Sequence, residues 1–134
     1  MTELYSTSII RNIYKKPSKK SEVTSQIIYG EKVRILEIKK KWLRIKTLSD
    51  NYSGFIKNEK LQKGLKIIFK TNKLKTRIFS QNKKKNFLTF NSRLPIITEK
   101  KKFIEFEKGK WVKRDDIKPI NHKDRNFDKI LKSF

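Results

Sequence analysis

The 134-residue chain contains no cysteine. Disulfides, thiolate metal sites and cysteine nucleophiles are therefore excluded within it. There is one histidine, His122. A lone imidazole with neither a nucleophile nor an orienting partner beside it reads as a solvated loop residue, not a catalytic base. Glycine (4) and proline (3) are scarce, so those present mark turns that need them. No apolar run approaches the roughly 18 residues required to span a bilayer. The first residues, Met1 to Ser6, lack the basic and apolar regions of a secretory signal. The expectation is a soluble, cytoplasmic chain without a membrane span, a cofactor or a metal.

Acidic side chains are also few. Against 13 Asp+Glu stand 36 Lys+Arg, a net charge of +23. Such a balance points to an anionic partner, nucleic acid above all. It also fits codon bias, since Lys, Ile, Asn and Phe, the residues of A/T-rich codons, make up nearly half the chain. Lysine outnumbers arginine 29 to 7, whereas bidentate phosphate recognition favours arginine. The lysines are spread along nearly every segment and do not gather in a stripe. Patterning therefore favours codon bias, and weak, non-specific binding to polyanions follows either way.

What is present is a repeat. Residues 27–45 read as two strands behind a tight turn at Gly30 and Glu31, separated by a turn at Lys39, Lys40 and Lys41. Shifted by 61 positions, residues 88–106 lie on them without a gap. Ile27 meets Leu88, Tyr29 meets Phe90, Val33 meets Leu94 and Ile35 meets Ile96. Trp42 meets Phe103, Leu43 meets Ile104 and Ile45 meets Phe106, and the triple lysine recurs at 100–102. Ile28/Thr89 and Ile38/Glu99 break the pattern. Self-similarity of this kind signals a structural unit used twice. Ile78 and Phe79 take the place of Ile13 and Tyr14. Trp111 to Ile117 matches Phe55 to Leu61 at an offset of 56, the change reflecting a deletion in a loop.

Short β-rich segments with turn residues between them predict small β-barrels. Residues 1–8 read as a polar lead-in, 8–14 as a strand, and 18–26 as an exposed loop running into the next strand. Phe55 to Lys57 forms a strand, and 58–61 a single helical or 3₁₀ turn in which Leu61 closes the bottom of the core. The second copy opens with residues 65–69 and 74–79, and residues 107–110 form a hairpin turn. Residues 119–124 read as a linker. Phe127, Ile130, Leu131 and Phe134 then fall at the spacing of an amphipathic helix. Trp42, Phe103 and Trp111 read as core or rim packing.

Ser21, Glu22 and Gln26, followed by Tyr29, Gly30 and Glu31, then Trp42, and then Asp50, Asn51, Tyr52, Gly54 and Phe55, form a pattern that resembles the first bacterial SH3-like domain of NlpC-type cysteine peptidases. These are murein-peptide hydrolases carrying two such domains ahead of a catalytic one. Phe90 to Leu94 and Gly109 to Val112 resemble the second domain, and Phe127 to Leu131 the lead-in helix of the peptidase. The resemblance implies an all-β fold of two SH3-like β-barrels in tandem, residues 1–62 and 63–120. Residues 121–134 would be a linker and the start of a helix leading to a catalytic domain. The family's nucleophilic cysteine is missing, so this chain is not expected to be an enzyme. A truncated or split gene would give the same sequence.

In the family the first domain helps recognise the free amino terminus of a short murein peptide beginning L-Ala-γ-D-Glu. An ammonium group calls for a carboxylate or a phenolic oxygen in a half-closed cleft. The matching candidates are Glu22 and Tyr52, with Glu31 behind them. Each also has a plainer role: Glu22 as a loop carboxylate, Glu31 as a turn residue, Tyr52 as a cover for the barrel end. The second copy lacks the motif around Glu22 and is expected to be a spacer. Expected partners are a murein peptide fragment or a catalytic NlpC-type domain. Two other readings stand beside this one: a basic barrel pair binding nucleic acid, and a scaffold docking a partner chain through its C-terminal helix.

Overall fold

A computed structural model describes residues 2–82 and 84–121, and they are almost entirely β. The predicted helix at 127–134, and His122, lie outside the described residues. In the N-terminal half, β1 (Glu3–Ser6), β2 (Ile10–Tyr14), β3 (Val23–Ile28), β4 (Lys32–Lys39), β5 (Trp42–Thr47), β6 (Ser53–Lys57) and β7 (Leu61–Gln62) form one antiparallel sheet. Their order is β3-β2-β6-β5-β4-β1-β7. Alternating apolar residues turn inward, as the two-residue period of a strand requires. Ile13, Ile27, Val33, Leu43, Ile45 and Ile56 form the core, with Ile35 and Leu61 packed against it.

The C-terminal half contains β8 (Phe69–Thr71), β9 (Lys75–Ile78), β10 (Asn86–Thr89), β11 (Arg93–Leu94), β12 (Thr98–Glu99), β13 (Phe103–Glu107) and β14 (Lys110–Lys113). A 3₁₀ turn (Arg114–Asp116) and β15 (Ile117–Pro119) complete it. The strands make three small sheets, β10-β9, β11-β8-β15 and β12-β13-β14. A bridge between Phe79 and Trp111 joins two of them. Its core is Ile78, Leu88, Leu94, Ile104, Phe106, Val112 and Ile117.

The registers of the two halves repeat. Leu4 lies opposite Val33 and Ser6 opposite Leu61; Phe69 lies opposite Leu94 and Thr71 opposite Ile117. Tyr14 pairs with Phe55, and Phe79 with Trp111. Tyr14 stands edge-on to Trp42 at 5.6 Å, and Phe79 edge-on to Phe103 at 5.4 Å. These aromatic pairs pack at the rim, as the strand positions of Trp42 and Phe103 led one to expect. Trp111 is half-buried beneath the Lys100 ammonium.

Four local expectations are corrected. Residues 3–6 are not a lead-in but β1, paired with both β4 and β7. Val23 to Gln26 are not loop but the first part of β3, an edge strand on which Val23 and Gln26 are exposed; Gln26 Nε2 donates to Asn12 Oδ1 at 2.9 Å. Residues 58–61 make no helical turn. Leu61 is held extended by pairing with β1, and among the described residues a 3₁₀ turn occurs only in the second half. Pro119, expected in a linker, ends β15.

Candidate functional site

The site forms around the turn between β3 and β4. Gly30 adopts φ +83°, a left-handed conformation that glycine takes without strain. β1 grips this turn with two main-chain bonds: Gly30 N–H donates to the Ser6 carbonyl and Ser6 N–H to the Glu31 carbonyl, both at 2.8 Å. On its other side the turn meets the C-terminal half. Arg93 N–H donates to the Tyr29 carbonyl at 2.9 Å. A Cβ on Gly30 would lie 2.0 Å from the Arg93 carbonyl oxygen, so only glycine permits this approach.

Tyr29 crosses from one half to the other. It is 2% exposed and packs in the core of the C-terminal half, edge-on to Phe106 at 5.3 Å. Its hydroxyl donates to Glu107 Oε1 at 2.9 Å. Burial, then the charge and the hydrogen bond of Glu107, raise the phenol pKa well above its ordinary value. Ile9 packs against the same core. The turn is therefore fixed by both halves of the chain.

Beside it opens a cleft of about 280 Å³, lined by Ile28, Glu31, Lys32, Leu48 and Ser49 from the first half and by Asn91 and Arg93 from the second. Glu31 is half-buried, and its Oε1 accepts the Ile28 N–H at 3.2 Å. Burial raises the Glu31 pKa, and the charge of Asp50 adds to this. The Ile28 hydrogen bond and the Arg93 charge oppose it. Asp50 sits in the loop between β5 and β6, which is tied by Thr47: Thr47 Oγ1 donates to Asp50 Oδ1 and accepts the Tyr52 N–H at 2.9 Å. Lys32 is engaged by Glu3 at 3.4 Å.

The three residues singled out from the sequence fall in different places. Glu31 lines the cleft. Tyr52 is 38% exposed at the end of the 48–52 loop, whose Leu48 and Ser49 form part of the cleft wall. Glu22 is exposed and lies in a shallow depression with Lys15, Lys16, Ser18, Lys20 and Ser21. Glu22 and Tyr52 immediately precede β3 and β6, the two strands that flank β2: the Glu22 carbonyl accepts the Lys15 N–H, and Tyr14 pairs with Phe55. Glu31 stands beyond the opposite end of β3, roughly 20 Å along a six-residue strand. Among the described residues no hydrogen bond or ion pair joins the three side chains. Sequence reasoning missed Arg93 and the loop at 48–50. Nothing in the local pattern of either marks it as facing Glu31. The expected spacer also lines the cleft, through Asn91 and Arg93.

Among the described residues no group of three or more His, Asp or Glu is placed to hold a metal ion. No helix among them is long and apolar enough to cross a membrane. No curated protein matches the chain. Among solved structures the chain is similar to a crystal structure of an NlpC/P60 family protein from Bacillus cereus, with a TM-score of 0.67 and 12% sequence identity. The match covers 87% of this chain and 56% of that one, and at such identity it speaks for the fold alone. Residues 13–61, which include Glu22, Glu31 and Tyr52, match the sequence model of the bacterial dipeptidyl-peptidase SH3 domain.

Proposed function

We propose that the chain is the non-catalytic, SH3-like recognition region of a murein-peptide hydrolase, made of two small barrels at residues 1–62 and 63–120. It takes the free amino terminus of a short L-Ala-γ-D-Glu peptide and works with a catalytic NlpC-type domain. The observation that carries this reading is Glu31. It is a recessed carboxylate at a cleft mouth, with one oxygen engaged by a main-chain N–H. An ammonium is held best by such an acceptor, because partial burial strengthens a charge-assisted hydrogen bond. The match of residues 13–61 to a dipeptidyl-peptidase SH3 domain supports the same reading. In it, Glu22 and Tyr52 contact the peptide where it extends beyond the cleft or meets the catalytic domain.

The test is a two-dimensional NMR titration of the full chain with the tripeptide L-Ala-γ-D-Glu-L-Lys and with its N-acetyl form. The expected result is a saturable shift of the Ile28, Glu31 and Ser49 amides by the free-amine peptide, with binding at least tenfold weaker after acetylation. Equal responses to the two peptides, or none, would overturn the reading.

A further inference from the structure

The cleft holds a second charge that amine recognition leaves unused. Arg93 opens β11, and its main chain is pinned to the Glu31 turn by the bond from its N–H to Tyr29 and by the close approach of its carbonyl to Gly30. Arg93 is exposed and lines the same cleft as Glu31. The two charges sense one another, since Arg93 pulls against the upward shift of the Glu31 pKa. Yet they form no ion pair within 4.0 Å, and the guanidinium makes no hydrogen bond or ion pair among the described residues. The other charges nearby are committed, Lys32 to Glu3 and Asp50 to Thr47 and Ser49. What remains is one carboxylate and one guanidinium on the residues of a single cleft, more than 4.0 Å apart. The main chains that carry them are locked together.

We propose that this cleft is a zwitterion site built by both halves of the chain, in which Glu31 takes an ammonium and Arg93 takes a carboxylate about one residue away. The fork of the guanidinium suits a carboxylate bidentately. A volume of about 280 Å³ sits at the small end of ligand pockets, which run from roughly 300 to 1,000 Å³, and this fits one or two residues. The assignment rests on the amine-recognition reading and adds a selectivity to it. An L-Ala-γ-D-Glu terminus carries a free α-carboxylate on its second residue, roughly 7 Å from the amine in an extended chain. A γ-linked peptide whose D-Glu is α-amidated lacks it. The C-terminal half then contributes Arg93 as the residue that distinguishes the acid from the amide.

The experiment compares three peptides, L-Ala-γ-D-Glu-L-Lys, its D-Glu α-amide and its N-acetyl form, by calorimetry on the wild type, Arg93→Gln and Glu31→Gln. The wild type is expected to prefer the acid to the amide at least tenfold. Arg93→Gln should lose that preference while still requiring the free amine, and Arg93→Lys should restore part of it. Thermal unfolding of the Arg93 variants that matches the wild type checks the fold, since the Arg93 main chain and not its side chain makes the contact with the turn. If the wild type binds acid and amide equally but still rejects the acetylated peptide, the zwitterion site is overturned and amine recognition stands. If Arg93→Gln keeps the preference, Arg93 is not the carboxylate ligand and the proposal fails. If the wild type binds none of the three, both readings fail together.

Discussion

The two halves of the chain share their registers and differ at one turn. Strands β1 and β2 map onto β8 and β9 at an offset of 65, so that Ser6 becomes Thr71, Ile13 becomes Ile78 and Tyr14 becomes Phe79. Strands β3 to β5 map at 61, and β6 and β7 map at 56 onto β14 and β15. Each turn is held in the same way. Ser6 exchanges main-chain bonds with Gly30 and Glu31, as Thr71 does with Asn91 and Ser92. Gly30 and Asn91 both have positive φ, 83° and 66°. The residues preceding them have opposite fates: Tyr29 is 2% exposed, Phe90 46%. The lesson is that one position in a repeated unit serves two purposes. Units of about 60 residues are marginal on their own. By placing its turn tyrosine in its neighbour's core, the first half lends the second a large buried ring. Burial of such a side chain is worth about 1.5–3 kcal/mol.

The largest way to break this comparison is Tyr29→Ala, expected to destabilise the protein by about 3–5 kcal/mol through the cavity it leaves. Phe90→Ala should cost within about 1 kcal/mol, as exposed positions do. Equal losses in urea unfolding would show that the two rings are equivalent after all. Next is Gly30→Ala, expected to cost about 2–5 kcal/mol, because a left-handed φ and a main-chain clash with Arg93 act together. The matching Asn91→Gly should be nearly neutral, within about 0.5 kcal/mol. Native-state hydrogen exchange of Gly30→Ala should show amides of the second core opening ahead of those of the first. Uniform acceleration would argue against a lock at the turn. Tyr29→Phe keeps the ring and removes the hydroxyl that donates to Glu107. A loss of about 1.5 kcal/mol is expected, near the low end for hydrogen bonds to a charged group, since Glu107 keeps Lys110 as a partner.

The smallest effect is on Glu31, whose counterpart Ser92 carries no charge. A carboxyl with a raised pKa in the folded state stabilises the fold while protonated, and that contribution is lost as pH rises through the folded value. Glu31→Gln mimics the protonated form, and the variant should therefore melt higher than the wild type at neutral pH. The gap should close as pH falls below the ordinary glutamate range. A constant gap across pH would mean that burial of Glu31, with Asp50 and Arg93 facing it, does not control its titration.

Much of this was legible beforehand. The apolar positions Ile27, Val33, Leu43 and Ile45 and their echoes Leu88, Leu94, Ile104 and Phe106 are all buried, because a two-residue period on one face specifies what turns inward. β1 was not legible. Glu3 to Ser6 shares with its counterpart at residues 68–71 only an apolar residue, Leu4 or Phe69, and a small hydroxyl, Ser6 or Thr71. The offset also changes from 61 to 65 across the intervening loop. Glu31 stands among the candidates through the resemblance, as a carboxylate behind Glu22 and Tyr52, whereas Arg93 does not. Its importance comes from a main-chain contact between segments more than 60 residues apart.

The sequence by itself determined that one pattern of apolar residues recurs 61 positions along the chain, which side chains are apolar on each strand, and that no cysteine chemistry takes place in this chain. Only the tertiary structure decided which core receives Tyr29, and which charged residues line one cleft. Periodicity specifies the face of a strand from local spacing alone. The assignment of a turn residue to its own core or its neighbour's depends on how two finished surfaces meet, and no local pattern encodes that.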